Sequence, residues 1–196
     1  MLKALSVNMK RLVWLTPQEF CWRVLVSLMP PISINFKKIF VDLVGPIIAV
    51  VILTFILNFG NLKHKSVHVL LPVQTIILYI VVMPVICYLL NKIGKSKLTF
   101  MEVFSIITYA LYGHILTLLT SLLFYLESSN AFFFICMTIF AGLSTFRLVL
   151  LQIQSIPLPG ARLIVCSFSS TVHILFLMFI HFTYMHPTFK YGKKSK

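Results

Sequence analysis

Acidic side chains are almost missing from this chain: Glu19, Asp42, Glu102 and Glu127 face 17 Lys and Arg. General acid–base chemistry has almost nothing to work with, and no two carboxylates share an apolar stretch. The sequence lacks HExxH, GxSxG, CxxC and a phosphate-cradling Gly-rich loop as well. Its cysteines, Cys21, Cys87, Cys136 and Cys166, are scattered singly, which leaves neither a disulfide framework nor a metal spacing. No enzyme, cofactor or metal is expected. Charged residues make up 11% of the chain, against about 25% in soluble domains. A formal charge of +13 would suit nucleic acid, but the basic residues are spread over every polar segment with no basic domain to form a groove, so nucleic acid is not an expected partner.

What fills the space is apolar: 59% hydrophobic residues and a mean hydropathy of +0.99. Five stretches, Val41–Phe59, Val69–Leu90, Val103–Leu126, Ala131–Leu151 and Leu163–Tyr184, reach the roughly 20 residues that a helix needs to cross a bilayer core. They are continuously apolar rather than alternating, so helices are expected and not barrel strands. The links between them are too short for a soluble domain. The expected architecture is all-α and polytopic: a cytosolic segment 1–40, a five-span domain 41–184 and a basic tail 185–196 on the non-cytosolic side. Met1–Thr16 carries Lys3, Lys10 and Arg11 and has no signal-peptide core, so the first span is expected to act as its own insertion signal.

With five spans, the N-terminal segment and the second and fourth links share a face. Ten cations lie there (Lys3, Lys10, Arg11, Arg23, Lys37, Lys38, Lys92, Lys95, Lys97 and Arg162) and six lie opposite (Lys63, Lys65, Lys190, Lys193, Lys194 and Lys196). The positive-inside rule then places the N-terminus in the cytosol. Lys193-Lys194-Ser195-Lys196 has the spacing of a dilysine retrieval signal, but on a non-cytosolic tail the match is accidental. In Pro17–Met29, Phe20, Val24, Leu25 and Leu28 recur at helical spacing, with Glu19, Arg23 and Ser27 between them, and Pro30-Pro31 ends the run. This reads as an interfacial helix, with Trp14 and Trp22 at headgroup level, serving either as a linker resting on the membrane or as a docking site for a cytosolic partner.

Polar groups within spans are the best pointers to function. Arg147 lies about one turn from the expected end of the fourth span, where it can snorkel to the interface or pair with Asp42 or Glu102. Ser105, Tyr109, Gly113, Thr117 and Ser121 recur every four residues and make a small or polar stripe, which permits close approach of another helix of this chain or of a partner subunit. The fourth span repeats the device weakly with Thr138 and Gly142. Ser169, His173 and His181 fall on a four-residue spacing in the fifth, with His114 as a possible neighbour; the histidines suit interhelical hydrogen bonds, a proton relay or a metal. Pro84 removes a backbone bond within the second span.

Several strings taken in order resemble one family. Ser27-Leu28-Met29-Pro30, Asn35-Phe36 and Asp42-Leu43-Val44-Gly45-Pro46 lead into the first span. Tyr109-Ala110-Leu111-Tyr112-Gly113-His114 follows in the third, Ala141-Gly142-Leu143-Ser144-Thr145-Phe146-Arg147 in the fourth, and His173-Ile174-Leu175-Phe176-Leu177 through His181-Phe182-Thr183-Tyr184 in the fifth. The chain thereby resembles the Yip family, the Ypt/Rab-GTPase-interacting membrane proteins, most closely its third animal branch. The resemblance implies five spans, a cytosolic N-terminus, a luminal C-terminus, Golgi residence, homo- or hetero-oligomers with other family members and a link to Rab-dependent vesicle traffic. The family usually carries a longer cytosolic N-terminal region than the forty residues here, and has no catalytic residues to carry over. The expected function is a non-enzymatic Golgi scaffold that associates with another Yip-family protein; the alternative is a small transporter or channel using His114, Arg147, His173 and His181.

Overall fold

A backbone in hydrocarbon must satisfy its own hydrogen bonds, and each apolar run does so as a helix. The computed structural model describes residues 15–31, 34–64, 71–124 and 130–185. In it, α1 is Pro17–Leu28, α2 Val44–His64, α3 Pro72–Ile93, α4 Phe100–Leu123, α5 Ala131–Ser155 and α6 Pro159–Met185. A 3₁₀ turn, Ile34–Lys37, lies between α1 and α2, and there is no strand among the described residues. Four helices, α3 to α6, are long and apolar enough to cross a membrane; the apolar stretch of α2, Val44–Gly60, is shorter. Trp14, Glu127 and the basic tail from His186 onward lie outside the described residues.

The helix ends follow capping chemistry rather than hydropathy, which is why they depart from the expected spans by a few residues. Thr99 caps α4: its hydroxyl accepts from the Glu102 amide at 3.4 Å while Glu102 reaches back to the Thr99 amide at 2.8 Å, the reciprocal capping box. α4 therefore begins at Phe100 and not Val103. Pro72 and Pro159 open α3 and α6, positions where the missing N–H costs nothing. The Asp42 carboxylate accepts from the Gly45 amide at 2.7 Å and starts α2. α3 continues through Pro84 as one helix.

α4 is the centre. Buried along nearly its whole length, it packs against α1, α2, α3 and α5, while α6 packs against α3 and α5. Leu53 and Leu57 of α2, Ile76 of α3, Ile107 and Leu111 of α4 and Leu177 of α6 are fully enclosed. Hydroxyls inside α4 bond their own helix, Thr108 to the Phe104 carbonyl and Thr117 to the Gly113 carbonyl, each at 2.8 Å, as Ser and Thr do where no water is at hand. The outward faces are apolar: Ile47, Val51 and Phe55 on α2, Leu78 and Val81 on α3, Leu163 and Phe179 on α6. Such faces are soluble only in lipid.

The ends sort into two layers. A Cβ on Gly94, after α3, would meet Ile156 of the α5–α6 link and Ala161 in the first turn of α6, and Ser96 donates to Ser155 at 2.9 Å. At the far end Gly60 meets Met185. The segment before α2, the α3–α4 link and the α5–α6 link therefore share one end of the bundle.

Candidate functional site

Where the N-terminal segment meets the bundle, the polar groups converge. Asp42 is 0% exposed and works in three directions: it caps α2, accepts from the Tyr109 hydroxyl at 2.6 Å, and receives the Arg23 guanidinium of α1. Arg23 also holds Glu19, one turn back, at 2.5 Å, and its guanidinium lies over the Phe40 ring. Burial works against the charge on Arg23, but hydrogen bonds to Glu19 and Asp42 more than offset it and hold its pKa above the ordinary value. Tyr112, one turn along α4, donates to the Gly45 carbonyl at 2.7 Å.

At this junction α1 keeps Phe20 and Val24 of its expected apolar face packed inward and turns two of its polar residues inward as well. Arg23 and Ser27 turn inward, where Asp42 offers a partner, while Trp22, Leu25 and Met29 face outward. Phe20 still packs inward, edge-on against Tyr112. A buried carboxylate outweighs the usual rule that the polar face of a helix points to solvent, because an uncompensated charge in the bundle would cost far more than an exposed Trp.

Arg147 neither snorkels nor pairs with Asp42 or Glu102. It is 6% exposed, and its guanidinium donates to three backbone carbonyls of the N-terminal segment: Met29 at 3.2 Å, Phe36 at 2.5 Å and Lys38 at 3.2 Å. The physical reason is occupancy. Asp42 is filled by Arg23 and Tyr109, Glu102 is committed to the α4 cap, and the planar five-donor fork of arginine suits scattered carbonyls. Arg147 thus ties Met29, Phe36 and Lys38 to α5. Arg147→Lys, which offers one ammonium in place of the fork, is expected to accelerate amide hydrogen exchange in residues 34–43 while leaving exchange in α4 unchanged, as read by mass spectrometry.

The α4 stripe is spent within the chain. Ser105, Tyr109, Gly113, Thr117 and Ser121 are all buried. A Cβ on Gly113 would lie 2.7 Å from the Phe140 carbonyl oxygen and 2.8 Å from Ser144 Cβ, so α4 and α5 touch backbone to backbone there. Gly142 and Thr138 do not share that contact: a Cβ on Gly142 meets only the Met137 carbonyl, at 3.8 Å, and Thr138 is exposed. The π turn at Met137–Ala141 is the cause, because its wider turn shifts the register and brings Ala141, Ser144 and Thr145 inward instead.

The histidines do not converge into one site. His114 and His173 meet with ring centroids 4.1 Å apart, and His114 donates through Nε2 to the His173 carbonyl at 3.0 Å. His173 Nδ1 bonds the Tyr79 hydroxyl at 2.5 Å. His181 instead stacks on Phe133 of α5 at 3.6 Å. Among the described residues no group of three His, Cys, Asp or Glu could hold a metal. A transport path would need these rings along a wet passage. Both His114 and His173 are 0% exposed, and neither the cleft beside Arg147 nor a 300 Å³ apolar groove between α3 and α6 is lined by any of the three.

Sequence reading missed the partner stripe on α3. Thr75, Tyr79, Met83, Cys87 and Asn91 recur every four residues, all buried, and they answer α6 in register: Thr75 to Tyr184 at 2.6 Å, Tyr79 to His173, Cys87 to Ser169 at 3.4 Å. The signal was the same four-residue period that marks α4, diluted by Met and Tyr, which pass as apolar.

No solved structure matches the chain. A family model described as the YIPF3 C-terminal domain matches residues 17–185, a stretch that starts at the first residue of α1 and stops at the last of α6 and so takes in the Arg23–Asp42 junction, the Arg147 clamp and both stripes. The chain belongs to the Yip family of multi-pass membrane proteins.

Proposed function

We propose that this protein is a non-enzymatic Golgi scaffold that crosses the membrane five times, associates with another Yip-family protein and supports Golgi organisation and vesicle traffic. One observation carries the reading: the buried polar side chains that a transporter would use are engaged in holding helices together, as in the Tyr79–His173 and His114–His173 bonds that join α3 and α4 to α6. A bundle whose buried polar side chains join its helices offers surfaces to partners rather than a route for solutes. α2 is the first span. At 21 residues it is roughly 32 Å long, and the charge count puts the N-terminus in the cytosol. There the outward Trp22 and Leu25 of α1 and Met29 just after it either rest in the headgroups or meet a partner such as a Rab GTPase.

The full chain purified by affinity from mild detergent is expected to bring another Yip-type protein with it, identified by mass spectrometry. Recovery of the chain with no such partner would overturn the scaffold reading. For the topology, an epitope placed after Lys196 is expected to resist antibody when only the plasma membrane is permeabilised; ready access would remove the five-span arrangement and make the terminal lysines a retrieval signal.

A further inference from the structure

Arg147 is a buried cation, and among the described residues no acid pairs with it. Of the chain's four acids, Glu19 and Asp42 hold Arg23, Glu102 caps α4, and Glu127 lies outside the described residues. Both ion pairs among the described residues use Arg23. The three carbonyl dipoles on Arg147 ease its burial but carry no net charge, and an unpaired charge inside a membrane domain is costly enough to mark a site.

Beside Arg147 a cleft runs between α1, residues 38–40, α4 and α5, lined by Arg23, Lys38, Ser105, Tyr109, Ser144 and Arg147 among others. Two buried donors in its wall have no partner: the hydroxyl of Ser105, a residue 1% exposed, and Nε of Arg23. The cavity is about 20 Å³, room for one water or one oxyanion oxygen, and exposed Lys38 lines it and connects it with the surface. Cations at floor and rim, with unfilled donors between them, describe an acceptor-only ligand bearing negative charge.

We propose that this cleft binds the phosphate of an anionic phospholipid, one oxygen entering against Ser105 and Arg147 and the remainder lying against Lys38 and Arg23. A headgroup suits the place, since Arg147 lies eight residues, roughly 12 Å, inside the Ser155 end of α5, a depth that a phosphate reaches from the leaflet without leaving its acyl chains. Occupancy would lock Met29, Phe36 and Lys38 to the bundle through the same guanidinium that holds their carbonyls. The same chemistry fits free phosphate, so the test separates the two sources.

Full-length protein in phosphatidylcholine nanodiscs is compared with the same discs containing phosphatidic acid, and with phosphatidylcholine discs in buffer containing inorganic phosphate. Phosphatidic acid is expected to raise the unfolding midpoint and to remain bound, one molecule per chain, in native mass spectrometry; inorganic phosphate is expected to do neither. Ser105→Ala and Lys38→Gln should each weaken phosphatidic acid binding about tenfold with the midpoint in phosphatidylcholine alone unchanged. Lys92→Gln, an equal charge change on exposed α3, should leave binding unaltered. An equal rise with inorganic phosphate would overturn the lipid source. Equal losses in Lys38→Gln and Lys92→Gln, or no retention by the parent chain, would overturn the site and leave a crevice that holds water.

Discussion

Asp42→Ala is expected to be the most damaging single substitution at the N-terminal junction, lowering the stability of the purified protein by about 3–5 kcal/mol. The loss has three parts. Arg23, whose side chain is 11% exposed, keeps its charge and loses its buried partner. The Tyr109 hydroxyl is left without its acceptor at 2.6 Å, and the Gly45 amide at the start of α2 loses its cap at 2.7 Å, itself worth about 1 kcal/mol. Because removing both members of a buried pair is often nearly neutral, Arg23→Met combined with Asp42→Ala should recover a substantial part of the loss. Tyr109→Phe, which removes one hydrogen bond, should cost about 1 kcal/mol. Heating in mild detergent followed by size-exclusion chromatography reads all four proteins. A wild-type midpoint for Asp42→Ala would mean that α1 is not held by this carboxylate.

Gly113→Leu is expected to separate α4 from α5 and to abolish accumulation of the folded protein. The Cβ alone would fall 2.8 Å from Ser144 Cβ and 2.7 Å from the Phe140 carbonyl oxygen, and the backbone of a packed helix cannot yield as a side-chain tip does. The leucine adds three more carbons, an overpacking worth about 3 kcal/mol in the contact on which the central helix is built. Gly142→Ala is the contrast. Its nearest neighbour is 3.8 Å away, and alanine is favoured over glycine within a helix by about 1 kcal/mol, so this variant should be as stable as the parent or slightly more. Equal tolerance of Gly113→Leu and Gly142→Ala, by level in membranes and by thermal midpoint, would show that the two helices do not approach at Gly113.

These two glycines show where one-dimensional reading stops. Both sit in four-residue patterns of small residues, and periodicity treats them alike. The π turn between Met137 and Ala141 separates them, and nothing in the composition of Met-Thr-Ile-Phe-Ala announces an extra residue in a turn. The α3 stripe was equally legible in spacing, yet Tyr79, Met83 and Cys87 pass for ordinary apolar residues until α6 is set against them. Arg147 is the reverse case: the sequence singled it out correctly as an unusual group but offered only side chains as partners, whereas its actual acceptors are backbone carbonyls, which every residue carries and no pattern distinguishes.

By itself the sequence determined that this protein lives in membrane as a set of helices, and it marked some of the polar residues those helices bury, the α4 stripe and Arg147 among them. That much follows from local quantities: the length and apolarity of each run, the prolines and threonines that start helices, and a cation excess at the polar ends. The tertiary structure decided which groups answer which. Asp42 has room for one guanidinium, and whether Arg23 or Arg147 takes it depends on where α1 can lie, over a separation of nineteen residues in one case and far more in the other. That competition fills the Asp42 site with Arg23, turns Arg23 and Ser27 of α1 inward, and leaves Arg147 to hold the chain by its carbonyls.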